Sequence, residues 1–178
     1  GDSRRFLERT AKIQAGLVVC VYCLSFAPAL LQVPMKDPTT VGQSANYRLL
    51  FFLILLVQFS DCMQYVWSRM LGRHLVAASV SSSRTWEGLL GGGASTALLA
   101  AVLWWAAPPY QPWQAALAGL VISIMGFAGG MTMSAIKRDR GVKDYGTLVV
   151  GHGGVLDRID SMCFAAPVFY HMTLLMVS

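Results

Sequence analysis

Residues 49–67 read LLFFLILLVQFSDCMQYVW, an apolar run with a single charged side chain, Asp61. About 20 such residues cross the hydrocarbon core of a bilayer as one helix. Further apolar runs of comparable length occupy residues 13–33, 88–107, 113–136 and 161–178. The sequence therefore predicts an all-α fold: a polytopic bundle of about five transmembrane helices that forms one membrane-embedded domain over residues 1–178.

The composition supports a membrane protein. Hydrophobic residues make up 55% of the 178 positions, charged residues only 13%, and the mean hydropathy is +0.53. Soluble domains are typically about 25% charged. Cys20 and Cys23 form a CxxC pair inside an apolar run, so we expect them to be packing residues without a redox or metal role. Because the chain starts at Gly1, we expect it to be part of a longer polypeptide.

Positive charge is distributed unevenly between the two sides of the predicted membrane. With five passes, twelve of the fourteen Lys and Arg residues fall on one side. They are Arg4, Arg5, Arg9, Lys12, Arg69, Arg73, Arg84, Lys137, Arg138, Arg140, Lys143 and Arg158. The positive-inside rule places this side in the cytoplasm. No basic stripe with interleaved aromatic residues occurs, so the net charge of +5 favours anionic lipid headgroups over nucleic acid.

Residues 134–160 read SAIKRDRGVKDYGTLVVGHGGVLDRID, a charged segment between the last two predicted helices. Asp157 and Asp160 are three residues apart and share one face if a helix continues through Ile159. Carboxylates on one face repel each other unless a cation lies between them, and such oxygen ligands suit Mg²⁺. The basic residues of the same segment could neutralise a polyphosphate.

The segment resembles the signature of phosphatidate cytidylyltransferases, the CDP-diacylglycerol synthases, in residues 134–146 and 151–160. Residues 61–72 and residues 81–88, SSSRTWEG, are similar to two further motifs of that family, with Ser82 at a position usual for proline. The resemblance covers roughly residues 50–175. It departs from the family at Gly130 and Met133, where the family has acidic residues, the first of them a metal ligand.

The resemblance implies an enzyme that condenses CTP with phosphatidic acid, or a related lipid phosphate, to give CDP-diacylglycerol and pyrophosphate. It implies Mg²⁺ as cofactor, with or without a second cation, and membrane lipids but no nucleic acid as partners. We further expect a homodimer in a bacterial inner membrane, with the active site at the cytoplasmic face.

The motifs predict the site residues, with residues 134–160 as the catalytic signature. The predicted catalytic residues are Asp157, Asp160, Asp144, Lys143 and His152. The predicted substrate-binding residues are Lys137, Arg138, Arg158, Ser134, Arg84, Thr85 and Glu87. The predicted metal ligands are Asp157, Asp160 and Asp61.

Several interpretations stay open at this point. Asp61 could be a structural partner of Arg69 or Arg73, Glu87 could cap the third predicted helix, and His152 could hold a turn. Because of Gly130 and Met133, the chain could also be a diverged paralogue for another lipid phosphate or an inactive membrane scaffold. A transporter or channel component is a further alternative, although the sequence has no internal repeat and one acid within a membrane stretch.

Overall fold

The computed structural model describes residues 3–34, 46–77, 80, 81, 83–108, 110–139, 141 and 156–177, with only the backbone described at residues 3–5, 8 and 156–158. Within these residues the fold is all helical, apart from an isolated antiparallel bridge between Leu75 and Thr85. The α-helices are α1 (Ser3–Leu17), α2 (Leu24–Ala29), α3 (Asn46–Leu71), α4 (Trp86–Val102), α5 (Pro112–Asp139) and α6 (Leu156–Val177).

The first apolar stretch forms one continuous helical segment in which the hydrogen-bonding pattern changes. A π-helical segment, Val18–Cys23, joins α1 to α2, and a 3₁₀ turn, Leu30–Gln32, ends the segment. The α1 and π-helical residues are mostly exposed. The α2 end packs on α6, where the rings of Phe26 and Tyr170 lie 5.2 Å apart.

Long apolar helices confirm the predicted fold class. Among the residues that the structure describes, four segments are long and apolar enough to cross a bilayer: Arg9–Gln32, Asn46–Leu71, Pro112–Asp139 and Ile159–Val177. The α4 helix has 17 residues, or about 26 Å at 1.5 Å per residue, slightly less than a hydrocarbon core of about 30 Å. A membrane pass by α4, and with it the five-pass topology, stays a prediction.

Helices that follow one another in the chain pack side by side, α3 on α4, α4 on α5, and α5 on α6. The core between them is apolar, with Leu53 of α3, Ile122 of α5 and Phe169 of α6 almost fully buried. This arrangement brings one end of α3, the start of α4, the end of α5 and the start of α6 to the same end of the bundle.

The α4 helix can approach α3 closely because it presents glycines to it. A Cβ atom added at Gly88 would overlap the Ser68 hydroxyl, and one added at Gly92 would lie 2.5 Å from Cγ of Gln64. Small residues permit such close backbone contact between membrane helices. Gly88 and Gly92 therefore set the distance between the two helices that carry most of the site.

Candidate functional site

A polar stripe runs along the last three turns of α3. Asp61, Gln64, Tyr65 and Ser68 lie at offsets of zero, three, four and seven residues, the spacing of one helix face. On a membrane helix these side chains need a protein-lined environment, because lipid offers polar groups no hydrogen bonds. The stripe turns toward α4, α5 and α6, where it lines the candidate site.

The structure brings two predicted metal ligands together through a serine. Ser161, in the second turn of α6, donates a hydrogen bond from Oγ to Oδ1 of Asp61 at 3.0 Å. Oδ1 of Asp160 accepts the Ser161 backbone N–H at 2.7 Å and lies 3.4 Å from the same hydroxyl oxygen. Two carboxylates that are 99 positions apart in the sequence therefore meet at the α3–α6 contact.

Arg84 supplies positive charge to this pair. Its guanidinium carbon lies 5.2 Å from the centre of the Phe127 ring, and its Nη1 donates to the Phe127 carbonyl at 3.4 Å. The guanidinium group also lies directly against Gly130, where an added Cβ would overlap it. Arg84 lines the same cavity as Asp61, whose carboxylate shares the Ser161 hydroxyl with Asp160. The candidate site therefore contains a guanidinium group that lines the same cavity as Asp61.

Asp61, Arg84 and Phe127 line a cavity of about 120 Å³, which we call the inner hollow. Its walls include Asp61, Gln64, Tyr65, Ser68, Arg84 and Phe127. One wall has an unused acceptor: Oε1 of the buried Gln64 has no hydrogen-bond partner within the described residues. A buried acceptor without a partner costs about 1–3 kcal/mol, so a ligand donor or a water molecule there would stabilise the site.

The amide of Gln64 is held in one orientation from the opposite side. Its Nε2 donates to Oγ of Ser60 at 2.8 Å and to the carbonyl of Ser123 at 3.2 Å. Because a carbonyl only accepts, the amide nitrogen must face Ser123, and Oε1 must face away from it. Ser60 donates in turn to Oγ of Ser123 at 2.7 Å, so α3 and α5 are joined by a buried polar network.

A second, larger cavity of about 440 Å³ adjoins the inner hollow, and we call it the outer cleft. Its walls include Tyr65, Ser68, Arg69, Arg73, Ser83 and Thr85. The two cavities share the Tyr65, Ser68 and Ser83 walls. They therefore form adjacent compartments at one end of the bundle.

Thr85 has a structural position between these compartments and α4. It is the N-cap of α4: its Oγ1 accepts the Gly88 backbone N–H at 3.1 Å and donates to Oγ of Ser68 at 3.0 Å. N-cap hydrogen bonds of this kind stabilise a helix by about 1 kcal/mol. Thr85 is buried, so it reaches the outer cleft as part of a fixed wall.

Glu87 faces the loop after α3. Its Oε1 lies 2.6 Å from Nδ1 of His74, and its Oε2 accepts the His74 backbone N–H at 3.3 Å. Glu87 lies just before the predicted span 88–107. Hydrogen bonds lower the pKa of its carboxyl group to about 2, and the His74 side chain makes the largest contribution, followed by backbone N–H groups. The structure therefore gives Glu87 a role in holding this loop, and it places the carboxylate outside the walls of both cavities.

The predicted residues of α5 have different surroundings. Lys137 is half-buried in the last turn of the helix. Arg138 is exposed on the last turn of the helix. The hydroxyl of Ser134 donates to the Gly130 carbonyl at 2.7 Å, one turn earlier in its own helix.

Several predicted residues cannot be placed in this geometry. The α6 helix starts at Leu156 and contains both Asp157 and Asp160, so the helix assumed for their spacing is present. The side chains of Asp157 and Arg158 lie outside the described atoms. Lys143, Asp144 and His152 lie outside the described residues altogether. Their catalytic and binding roles stay predictions.

Three neutral residues of the site, Gln64, Ser68 and Ser161, were not predicted from the sequence. For the first two, the signal was available in their helical spacing after Asp61, whereas the prediction followed charged residues. Ser161 gave no such signal, because its role depends on the contact between α3 and α6.

The oxygen ligands among the described residues suit a hard cation such as Mg²⁺ only in part. Carboxylate oxygens are the ligands that Mg²⁺ prefers, and Asp61 and Asp160 supply them at one place. Within the described residues, however, no three His, Cys, Asp or Glu side chains group closely enough to hold a metal. A bound Mg²⁺ would therefore need further oxygens from substrate phosphates, water or the remaining acidic residues.

Comparisons with known proteins show the family of this chain. Residues 3–176 match the model of the cytidylyltransferase family. An uncharacterised protein, YnbB of Escherichia coli, is 43% identical over 96% of this chain and 56% of its own length. Phosphatidate cytidylyltransferases of Staphylococcus epidermidis and Synechocystis are 34% and 42% identical over 71% and 66% of this chain, and over 49% and 40% of their own lengths.

This chain spans about half the length of the curated relatives it matches. The family match nevertheless covers nearly all of it and includes every element of the two cavities. The helices, the carboxylate pair and the outer cleft all lie within the matched residues. The chain belongs to the cytidylyltransferase family.

Proposed function

We propose that this protein condenses CTP with phosphatidic acid to give CDP-diacylglycerol and pyrophosphate. An oxygen of the lipid phosphate attacks the α-phosphorus of CTP and forms the new P–O bond. The bond from that phosphorus to the oxygen bridging the β-phosphate breaks, and pyrophosphate leaves with its electron pair. Family membership and the names of two relatives support this reaction.

The observation that carries the proposal is the meeting of Asp61 and Asp160 beside Arg84. The lipid phosphate is already an anionic nucleophile, so the reaction needs no strong general base. Its difficulty is the repulsion between two anionic substrates. A fixed guanidinium group offsets that repulsion and stabilises charge that shifts during phosphoryl transfer, which is the main requirement of this chemistry.

We further propose Mg²⁺ as the cofactor, with Asp61 and Asp160 among its ligands and Asp157 as an additional candidate. A bound Mg²⁺ would screen the phosphate charges and stabilise the leaving pyrophosphate. Arg84 and Lys137 would bind phosphate oxygens of the substrates. Ser161 would hold the two carboxylates in register by its hydrogen bonds to both.

The proposed location is a bacterial inner membrane, with the site at its cytoplasmic face. Arg69, Arg73, Arg84 and Lys137 all lie at the end of the bundle that carries the two cavities. A site at this edge can be reached both by a nucleotide from solution and by a headgroup from the bilayer. The homodimer stays a prediction.

A second candidate function is the same transfer to a different lipid phosphate. The contact between Arg84 and Gly130 favours it. The Arg84 side chain fills the space into which an acidic residue at position 130, which the family usually has, would project. A membrane scaffold without activity is the remaining outcome of the same test.

The experiment is an incubation of purified protein in mixed micelles with Mg²⁺ and CTP labelled at the α-phosphate. One arm contains phosphatidic acid, a second contains a polyprenyl phosphate, and a third contains neutral diacylglycerol. Labelled CDP-diacylglycerol in the first arm alone is the expected result. Labelled lipid in the second arm alone would show that the acceptor is a polyprenyl phosphate. The absence of labelled lipid in every arm would overturn the proposal.

A further inference from the structure

The outer cleft has the chemistry of an anion-binding compartment that is separate from the inner hollow. Arg69 and Arg73 line it together with the hydroxyl groups of Ser68, Ser83 and Thr85. None of the described residues in its walls is acidic, whereas the inner hollow includes Asp61. The difference in charge indicates that the two compartments bind different groups.

The arginines keep donors available for a ligand. Nη1 of Arg69 donates to the hydroxyl of Tyr65 at 2.9 Å, which fixes the side chain along the α3 face. A guanidinium group has five N–H donors, so this bond leaves others for phosphate oxygens. Glu87, the acid that follows this region in sequence, is engaged with His74 instead of the cleft.

The frame of the cleft is fixed by backbone contacts. The loop after α3 pairs with the strand-like residues before α4, since the Val76 N–H donates to the Arg84 carbonyl and the Trp86 N–H donates to the His74 carbonyl, both at 3.1 Å. At the α3 end, the Gly72 N–H donates to the Ser68 carbonyl at 3.0 Å. The compartment therefore exists before any ligand binds, which lowers the entropy cost of binding.

We propose that the outer cleft is a phosphate subsite in which Arg69 and Arg73 bind a phosphate group next to the one that reacts in the inner hollow. The inference rests on the proposed function, because transfer between two phosphate esters requires two phosphate-bearing substrates side by side. The shared walls at Ser68 and Ser83 provide that adjacency. The bound phosphate belongs either to the lipid headgroup or to the terminal phosphates of the nucleotide.

The test uses Arg69→Ala and Arg73→Ala proteins, with Arg69→Lys and Arg73→Lys as variants that keep the charge. Arg9→Ala is the matched control, since Arg9 is an exposed arginine on the same predicted side of the membrane but outside the cleft. We expect each alanine variant to raise the KM of one substrate by about ten- to a hundredfold with little change in kcat, and lysine to recover part of the loss. The control should match wild type.

Separate KM measurements for the two substrates identify the source of the phosphate. A raised KM for phosphatidic acid at saturating CTP assigns the subsite to the headgroup, and a raised KM for CTP assigns it to the nucleotide. Unchanged KM values for both substrates, or an equal change in Arg9→Ala, would overturn the subsite.

Binding of inorganic pyrophosphate to the purified protein separates this inference from the reaction. Weaker pyrophosphate binding in both alanine variants, in a protein without transferase activity, would retain the anion subsite while the proposed reaction fails. Equal pyrophosphate binding in wild type and the alanine variants, together with unchanged kinetics in an active enzyme, would reject the subsite alone.

Discussion

The guanidinium group of Arg84 lies against the backbone of Gly130, in the space that a side chain at residue 130 would fill. An added Cβ would come within 2.8 Å of the guanidinium carbon. Residue 130 therefore decides where the guanidinium group of the site can lie, although glycine itself contributes no functional group. Arg84 also lies over the Phe127 ring and lines the inner hollow together with Asp61.

Gly130→Ala should weaken substrate binding by displacing Arg84. If Arg84 binds a phosphate, the loss of one charge-assisted contact should raise the corresponding KM by about ten- to a hundredfold. Gly126→Ala is the matched control one turn earlier, because its Cβ would make an ordinary contact 3.5 Å from Cβ of Ser161. In a double-mutant cycle, Arg84→Ala should add little to Gly130→Ala. Additive effects of the two changes would contradict this role of Gly130.

Gly130→Asp should lower the Mg²⁺ concentration required for half-maximal activity. The new carboxylate would add a ligand near Asp61 and Asp160, and Arg84 would have to move aside, which the far end of a flexible side chain can do. Gly130→Asn has almost the same size without the charge and is the control. Equal Mg²⁺ requirements in the two variants would show that the added carboxylate pairs with Arg84 and does not bind the metal.

Cysteine labelling should locate the two ends of the bundle. In a background without the native cysteines, a cysteine near Arg140 should react only with reagents that reach the cytoplasm, and one near Gln111 only with reagents outside. The expectation follows from the one-sided basic residues. Labelling of both positions from the same side would reject a membrane pass between them and with it the five-pass topology.

Glu87→Gln should loosen the loop after α3 in a pH-dependent way. The pKa of Glu87 is lowered to about 2 from an ordinary value of 4.5, so the ionised carboxylate stabilises the folded protein. That contribution is complete above pH 4.5 and is lost as the pH falls toward 2. Thermal unfolding in detergent should therefore separate the variant from wild type at pH 6 and much less at pH 3. Asp139→Asn, a change at an exposed acid, is the control, and a separation that grows toward low pH would contradict the account.

The helices could be predicted from the sequence because hydropathy acts locally. The apolar stretch 49–67 predicted most of α3, and Asp61 stood out because a charge in a membrane helix is costly. Gln64 and Ser68 carry no charge and were missed, although their spacing placed them on the face of Asp61. Periodicity of neutral polar residues would have extended the predicted site.

The contacts between helices could not be predicted in the same way. Arg84 and Gly130 are 46 positions apart in the chain, and Asp61 and Ser161 are 100 apart, so their meeting depends on how α3, α5 and α6 cross. The glycine that looked like a missing metal ligand in the sequence is the contact surface for a cation in the structure. Only the packing of the helices shows this contact. The sequence shows that residue 130 has no side chain, but it does not show which residue fills the space.

Transfer of label from the α-phosphate of CTP into phosphatidic acid, compared between wild type and Asp160→Asn protein, tests whether the carboxylates around Ser161 form the catalytic centre. We expect wild type to form CDP-diacylglycerol and the variant to lose about 100-fold or more of the rate, since a preorganised electrostatic contact of this kind contributes on that scale. Asp61→Asn should behave in the same way, and Asp139→Asn should keep the wild-type rate. Near wild-type turnover in Asp160→Asn, beside an active wild type, would place the centre elsewhere in the molecule.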